Sequence, residues 1–144
     1  MQRTNDMAQP MNELVDDIMT TPALSVTLSH TVTQVLKMTK KYNVSGFPVV
    51  DSSNTPIGIV SSLDLMTEIA IGKMHLKLGE LPLSIKVDKE IITLQAGTPI
   101  KEALLTIIRN RIGRVIILDE NKKLCGIVSR KDLIHHFIDI NHIE

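Results

Sequence analysis

The chain has 144 residues and balances sixteen Lys and Arg against sixteen Asp and Glu, so it carries no formal net charge and no broad attraction to nucleic acid or anionic lipid. Aromatics make up only 2 % of it, which leaves no platform for stacking unpaired bases and requires an aliphatic core drawn from the 43 % hydrophobic residues. No apolar run reaches the roughly 18 residues of a membrane span, and the start, MQRTNDMAQPMNE, has no apolar signal region, so the chain reads as cytoplasmic.

Residues 1–11 read as a mobile tail. A first structural unit, 12–71, then opens with a short helix from Asn12, its N-cap, to about Met19. A brief strand is expected near Leu24 to Leu28. The spacing of Val32, Val35, Leu36 and Thr39 predicts a helix to about Lys41, and Thr31 with Gln34 fits a capping box at its start. FPVVD reads as a short buried strand, SSNTP as a turn and IGIV as the return strand of a hairpin, with a helix beginning at Ser61. The stretch 72–81 is the expected linker.

The second unit, 82–140, repeats the first. GIVSSLDL, from Gly58 to Leu65, returns as GIVSRKDL, from Gly126 to Leu133, at an offset of 126 − 58 = 68, with six of the eight letters identical. The same offset lays Ile91 to Leu104 over Ala23 to Leu36, and Arg109 to Asp119 over Lys41 to Asp51. A repeat of this kind decides the architecture before any single element does. Thr98 followed by Pro99 places a helix start by the N-cap and N1 rule. RVIILD and LCGIV are the hairpin strands, and ENKK is their turn. Cys125, the one cysteine, excludes an intramolecular disulfide and reads as a buried, inert thiol. The last helix, KDLIHHFIDI, collects Leu133, Ile134, Phe137 and Ile138 on one side, a face for the linker or for a second copy; 141–144 is a tail. Each unit is thus β-α-β-β-α, too small to bury a good core alone.

Each GIVS-x-x-D phrase admits two compatible readings. A serine followed three residues later by an aspartate, ahead of an apolar run, is a helix-start signature: Ser61 or Ser129 caps the helix, and Asp64 or Asp132 reaches back. The same geometry is also that of a ligand site. A strand delivering into a helix N-terminus leaves N–H groups that attract phosphate, and an acceptor-only carboxylate one turn in suits the two hydroxyls of a ribose. Arg130 and Lys131 stand in the first turn of the last helix, unfavourably for its dipole, which favours an anion nearby. Other constellations lead nowhere. His135 and His136 point about 100° apart and do not chelate, and no Ser-His-Asp order, phosphate-binding Gly-Lys loop or catalytic carboxylate pair is present, so an enzyme is not expected.

With VSGFPVVD, GIVSSLDL and GIVSRKDL, and with DDIMTTP ahead of the first unit, the chain from about 12 to 140 resembles a tandem pair of cystathionine β-synthase (CBS) domains, a Bateman module. The resemblance implies an α/β (α+β) fold of two pseudo-twofold related CBS units packed through their sheets. It also implies a regulatory module that senses an adenosine compound (AMP, ADP, ATP or S-adenosylmethionine) in clefts between the repeats, with no required cofactor and no metal. Carried over residue by residue, one such cleft would draw on Ile127, Ser129 and Asp132 with Thr20, Pro22, Leu24, Val44, Ser45 and Gly46. The other would draw on Ile59, Ser61 and Asp64 with Val87, Ile92, Ile112, Gly113 and Arg114, where Arg114 stands at a position that often contacts phosphate; Arg130 adds charge beside Ser129. Repeat two has VDKE where repeat one has MTTP, and Ile116 where it has Pro48, so the clefts are not expected to be equivalent. A homodimer and a separate effector protein are the implied partners, with neither nucleic acid nor membrane. The alternative is a structural or oligomerisation module whose clefts stay empty.

Overall fold

The computed structural model describes residues 13–81, the backbone of 86–87, and residues 91–143. The expected tail 1–11 and the N-cap Asn12 lie outside the described residues. The chain is mixed α/β and divides into two compact units: Leu24–Ile91, and Ile92–Glu144 joined by the segment up to Ala23.

In the first-repeat unit, α1 (Val32–Tyr42) leads to the hairpin β1 (Gly46–Val50) and β2 (Pro56–Ser61), followed by α2 (Ser62–Ala70) and a short edge strand β3 (Lys86–Val87). The sheet order is β1-β2-β3, antiparallel throughout. The second-repeat unit runs β4 (Thr93–Gln95), α3 (Ile100–Asn110), β5 (Arg114–Leu118), β6 (Leu124–Ser129) and α4 (Arg130–Ile140). Here β4 pairs parallel with β5, which pairs antiparallel with β6.

The 68-residue offset is physical. Val32, Val35, Phe47, Val49, Val60 and Leu65 form the core of one unit, and Ile100, Ala103, Val115, Ile117, Val128 and Leu133 occupy the matching positions in the other. Both hairpin loops are built on the aspartate that ends the first strand. Asp51 Oδ1 accepts from the amides of Ser53 and Thr55 at 2.9 and 3.0 Å, and Asp119 Oδ1 from those of Asn121 and Lys123 at 2.8 and 3.0 Å. These bonds hold Asn54 and Lys122 at φ of 63° and 62°, the left-handed conformation the tight turn needs.

Several elements differ from expectation. The N-terminal helix is one 3-10 turn, Val15–Asp17, with Val15 fully buried. The strand expected from Leu24 to Leu28 contracts to a single parallel bridge, Val26 to Val49, at the position where β4 meets β5 in the other unit. Thr98 and Pro99 do not act as N-cap and N1. Pro99 is itself the N-cap, extended at ψ 145°, and α3 begins at Ile100. The chain before Val15 causes this: Leu14 bridges Pro99, Val15 N–H donates to the Thr98 carbonyl at 2.8 Å, and Glu13 accepts the Ile100 N–H at 2.7 Å. Backbone supplies the cap that a threonine hydroxyl would have supplied; that hydroxyl donates instead to the Gln95 carbonyl. The stretch expected as linker is partly core, since Leu78 is 1 % exposed and Leu78 and Gly79 donate to the carbonyls of His30 and Leu28. Cys125 is half-buried rather than enclosed.

Candidate functional site

The repeated phrases form two strand-to-helix junctions. β2 and β6 have cores of alternating residues, with Val60 and Val128 turned inward. Extended backbone therefore arrives at Ser61 and Ser129, at ψ 165° and 168°, before turning into α2 and α4. At the first junction Asp64 Oδ2 accepts from both the Ser61 amide and the Ser61 hydroxyl at 2.9 Å, while Ser61 Oγ accepts from the Asp64 amide at 3.3 Å. At the second, Asp132 Oδ2 accepts from the Ser129 amide at 2.8 Å, and Ser129 Oγ from the Asp132 amide at 3.2 Å. The capping reading is therefore realised twice. All four residues are half-buried, so the boxes face a surface rather than a core. Only one oxygen of each carboxylate is used in these boxes. Among the described residues Oδ1 of Asp64 and of Asp132 has no donor, which leaves an acceptor on each rim.

Around Ser129 the second-repeat unit brings together Thr20, Pro22 and Ile127, expected at this junction, with Ile112, Gly113 and Arg114, which the resemblance assigns to the Ser61 cleft. Thr20 and Ile127 exchange backbone bonds: Thr20 N–H donates to the Ile127 carbonyl at 2.8 Å, and Ile127 N–H to the Thr20 carbonyl at 3.2 Å. Thr20 and Pro22, both exposed, therefore stand on the edge of β6, and the Thr21–Pro22 bond is cis. Arg114 is directly opposite Ser129 in the β5–β6 register, so the two side chains rise from the same face of the hairpin. Burial lowers the Arg114 pKa below the ordinary guanidinium value, an energetic reason for it to favour an anionic companion. Ile112 and Gly113 contribute carbonyls: Arg130 Nε donates to Ile112 and Arg130 N–H to Gly113, both at 3.1 Å. Those two bonds hold the Arg130 side chain along the loop before β5.

Around Ser61 the first-repeat unit has the same plan with different chemistry. Ser45 accepts the Ser62 N–H at 2.7 Å, as Gly113 accepts that of Arg130. Gly46 is opposite Ser61, where the other unit has Arg114. Ile59 pairs with Lys86 and Gly58 with Val87, so the edge of β2 is covered by chain from the start of the second repeat. Leu24 and Val44 are half-buried against this unit's core. Ile92 packs on the core of the other unit. Each unit thus has its hairpin edge closed by a segment that the sequence assigns to the other repeat, Thr20 in one case and Lys86–Val87 in the other.

The motif glycine Gly126 has a packing role that its sequence pattern does not reveal. A Cβ at Gly126 would lie 2.8 Å from Met19 Cγ and closer still to Met19 Sδ, so the bare position admits the N-terminal segment that carries Thr20 onto β6. Among the described residues no cluster of His, Cys, Asp or Glu could hold a metal, and no helix is long and apolar enough to cross a membrane.

The profile of the CBS domain matches residues 15–71 and again 83–139. The chain belongs to the CBS-domain family. CBSX2, solved in complex with AMP, is 25 % identical with a TM-score of 0.74, covering 89 % of this chain and 98 % of that one. The CBS domain pair of protein MJ0100, solved with 5′-methylthioadenosine and S-adenosyl-L-methionine, is similar in fold at 23 % identity and a TM-score of 0.74, covering 87 % and 95 %. In sequence, the inosine-5′-monophosphate dehydrogenase of Methanocaldococcus jannaschii is 25 % identical over 119 residues, 83 % of this chain but only 22 % of that enzyme. An uncharacterized 17.7 kDa protein of Acidianus ambivalens is 25 % identical over 130 residues, 90 % of this chain and 76 % of its own length. CBS domains are regulatory rather than catalytic modules, and the likeness to the dehydrogenase is confined to this CBS pair.

Proposed function

We propose that this CBS pair is a regulatory module that binds an adenosine nucleotide or S-adenosylmethionine-like ligand and signals its presence to a separate effector protein. The observation that carries the reading is the Ser129 junction. A half-buried Asp132 with one unused carboxylate oxygen, a capped helix N-terminus and the half-buried Arg114 stand beside one another on one hairpin. The carboxylate oxygen suits ribose hydroxyls; the helix N-terminus and the guanidinium suit phosphate or another anion. Ile127, Thr20 and Pro22 offer the apolar edge for the base, with Leu24, Val44, Ser45 and Gly46 the further contributors that the resemblance implies. AMP in the CBSX2 crystal supports the adenosine class.

The Ser61 junction is the second candidate. It has Asp64 and Ile59 but, in its own hairpin, Gly46 where Arg114 would stand, so we place the better phosphate site at Ser129. The homodimer that the resemblance implies, and a cytoplasmic location, belong to the same reading.

A thermal-shift panel of AMP, ADP, ATP, NAD and S-adenosylmethionine tests it. A ligand at 100 times its dissociation constant stabilises the fold by about 2.7 kcal/mol, so at least one compound is expected to raise the melting temperature. No shift with any of them favours the alternative, a structural module whose capping boxes serve the fold alone.

A further inference from the structure

Met19 holds the N-terminal segment on the second-repeat unit. The place a Cβ would take at Gly126 is filled by the Met19 side chain, with Cγ 2.8 Å and Cβ 3.2 Å from it and Sδ nearer still. Only glycine leaves that room in the middle of β6. Met19 also packs on the core of this unit. The chain on either side of it is anchored: its own N–H donates to the Val15 carbonyl at 2.8 Å, and Thr20 exchanges two backbone bonds with Ile127, the neighbour of Gly126. One side chain thus seats the crossing of this segment over β6.

A thioether suits the seat because it is apolar, unbranched and polarisable. It is also oxidisable, and Met19 is half-buried rather than enclosed, so a small oxidant reaches it. A peroxide delivers one oxygen atom. Its O–O bond breaks, an S–O bond forms at Sδ, the sulfur gives up two electrons, and hydrogen peroxide is reduced to water. The new oxygen is a strong acceptor. Over Gly126 it would lie against the apolar core of the unit, where an unpaired acceptor is costly. Turning out to water satisfies it and withdraws the side chain from its seat. Other oxidisable side chains stand differently. Met66 and Met74, 62 % and 37 % exposed, carry an added oxygen in water, and Met38 packs on the core of the first-repeat unit. Cys125, next to Gly126, reacts as a thiolate, which its raised pKa keeps scarce.

We propose that Met19 is a redox-sensitive latch: oxidation by a peroxide to the sulfoxide unseats the N-terminal segment from Gly126 and opens the Thr20–Ile127 edge of β6. Reduction of the sulfoxide reseats it. Thr20 and Ile127 belong to the junction proposed for the ligand, but the unlatching itself does not depend on that reading.

The test uses the full chain without ligand, treated with hydrogen peroxide at a dose that oxidises the exposed Met66. Peptide mass spectrometry locates the added oxygen, and hydrogen exchange read by NMR follows the amides of Thr20 and Ile127. Met19 is expected to gain one oxygen and the two amides to exchange about tenfold faster, the scale of one buried acceptor left unpaired. Amides of the β1–β2 hairpin are expected to keep their rates. Methionine sulfoxide reductase with a dithiol is expected to restore those of Thr20 and Ile127. Met19→Leu, a volume-conserving change, keeps Cys125, Met38, Met66 and Met74, so its Thr20 and Ile127 amides are expected to ignore peroxide. Met19→Gln, polar and of similar length, is expected to exchange fast without any oxidant. A thioether still intact at Met19 once Met66 is oxidised overturns the proposal. So do unchanged exchange with the sulfoxide at Met19, and an equal peroxide response in Met19→Leu.

Discussion

At the scale of single residues, the chemistry concentrates on carboxylates that organise backbone. Asp119 is one of them: it builds the β5–β6 loop through two amides and acts on Cys125 as well. Burial first, then the charges of Asp119 and Asp16, raise the Cys125 thiol pKa above its ordinary value. Because the folded state holds this proton more tightly than the unfolded state, stability is undiminished below the ordinary thiol pKa and declines as pH rises through the folded one. At pH 9 Cys125 should be alkylated by iodoacetamide more slowly in the folded protein than in urea. A rate equal to that of the unfolded chain contradicts this account. Asp119→Ala removes the two loop bonds and one of the charges. We expect a loss of about 1 kcal/mol in chemical denaturation together with faster alkylation of Cys125, a pairing that loop damage elsewhere does not produce.

At the scale of elements, the sequence made legible whatever rests on local patterning. The capping box of Thr31 and Gln34 is present, with mutual bonds of 2.8 and 3.1 Å, and α1 buries Val32 and Val35 as its spacing requires. Both hairpins and both Ser-Asp helix starts follow from β-branched runs and a four-residue signature. What was not legible depends on contacts distant in sequence. Nothing in ELVDDIM says that it gives up a helix to cap α3 with the carbonyl of Glu13, nor that Leu78 leaves a polar linker to complete the other core. Thr20, by contrast, was reached through the family resemblance, and its pairing with Ile127 is in place.

The N-terminal segment yields the sharpest prediction at this scale. Val15 is fully buried in the core of the second-repeat unit although it precedes the first repeat. Val15→Ala should therefore cost about 2 kcal/mol, and hydrogen exchange should show the loss in α3, β5 and β6 rather than in α1, β1 and β2. Loss confined to the first-repeat elements would contradict the placement of this segment.

At the scale of the whole molecule, the protein is a doubled unit whose two copies share a core plan and a helix-capping device but differ in charge at the equivalent junction. Gly46 faces Ser61 where Arg114 faces Ser129, and Ser62 and Leu63 stand where Arg130 and Lys131 do. Duplication followed by such divergence is what a sensor needs if one junction is to favour an anionic ligand over the other. The most direct test is calorimetric titration of AMP, ATP and S-adenosylmethionine into the parent protein and into Asp132→Asn. The asparagine keeps an oxygen to accept the Ser129 amide but loses the charge that would hold a ribose, a bond worth about 1.5–3 kcal/mol. The account predicts that at least one of these compounds binds the parent and binds Asp132→Asn at least about tenfold more weakly, with the fold intact. Equal affinity in the two proteins, or no binding by any of the three compounds, would contradict it.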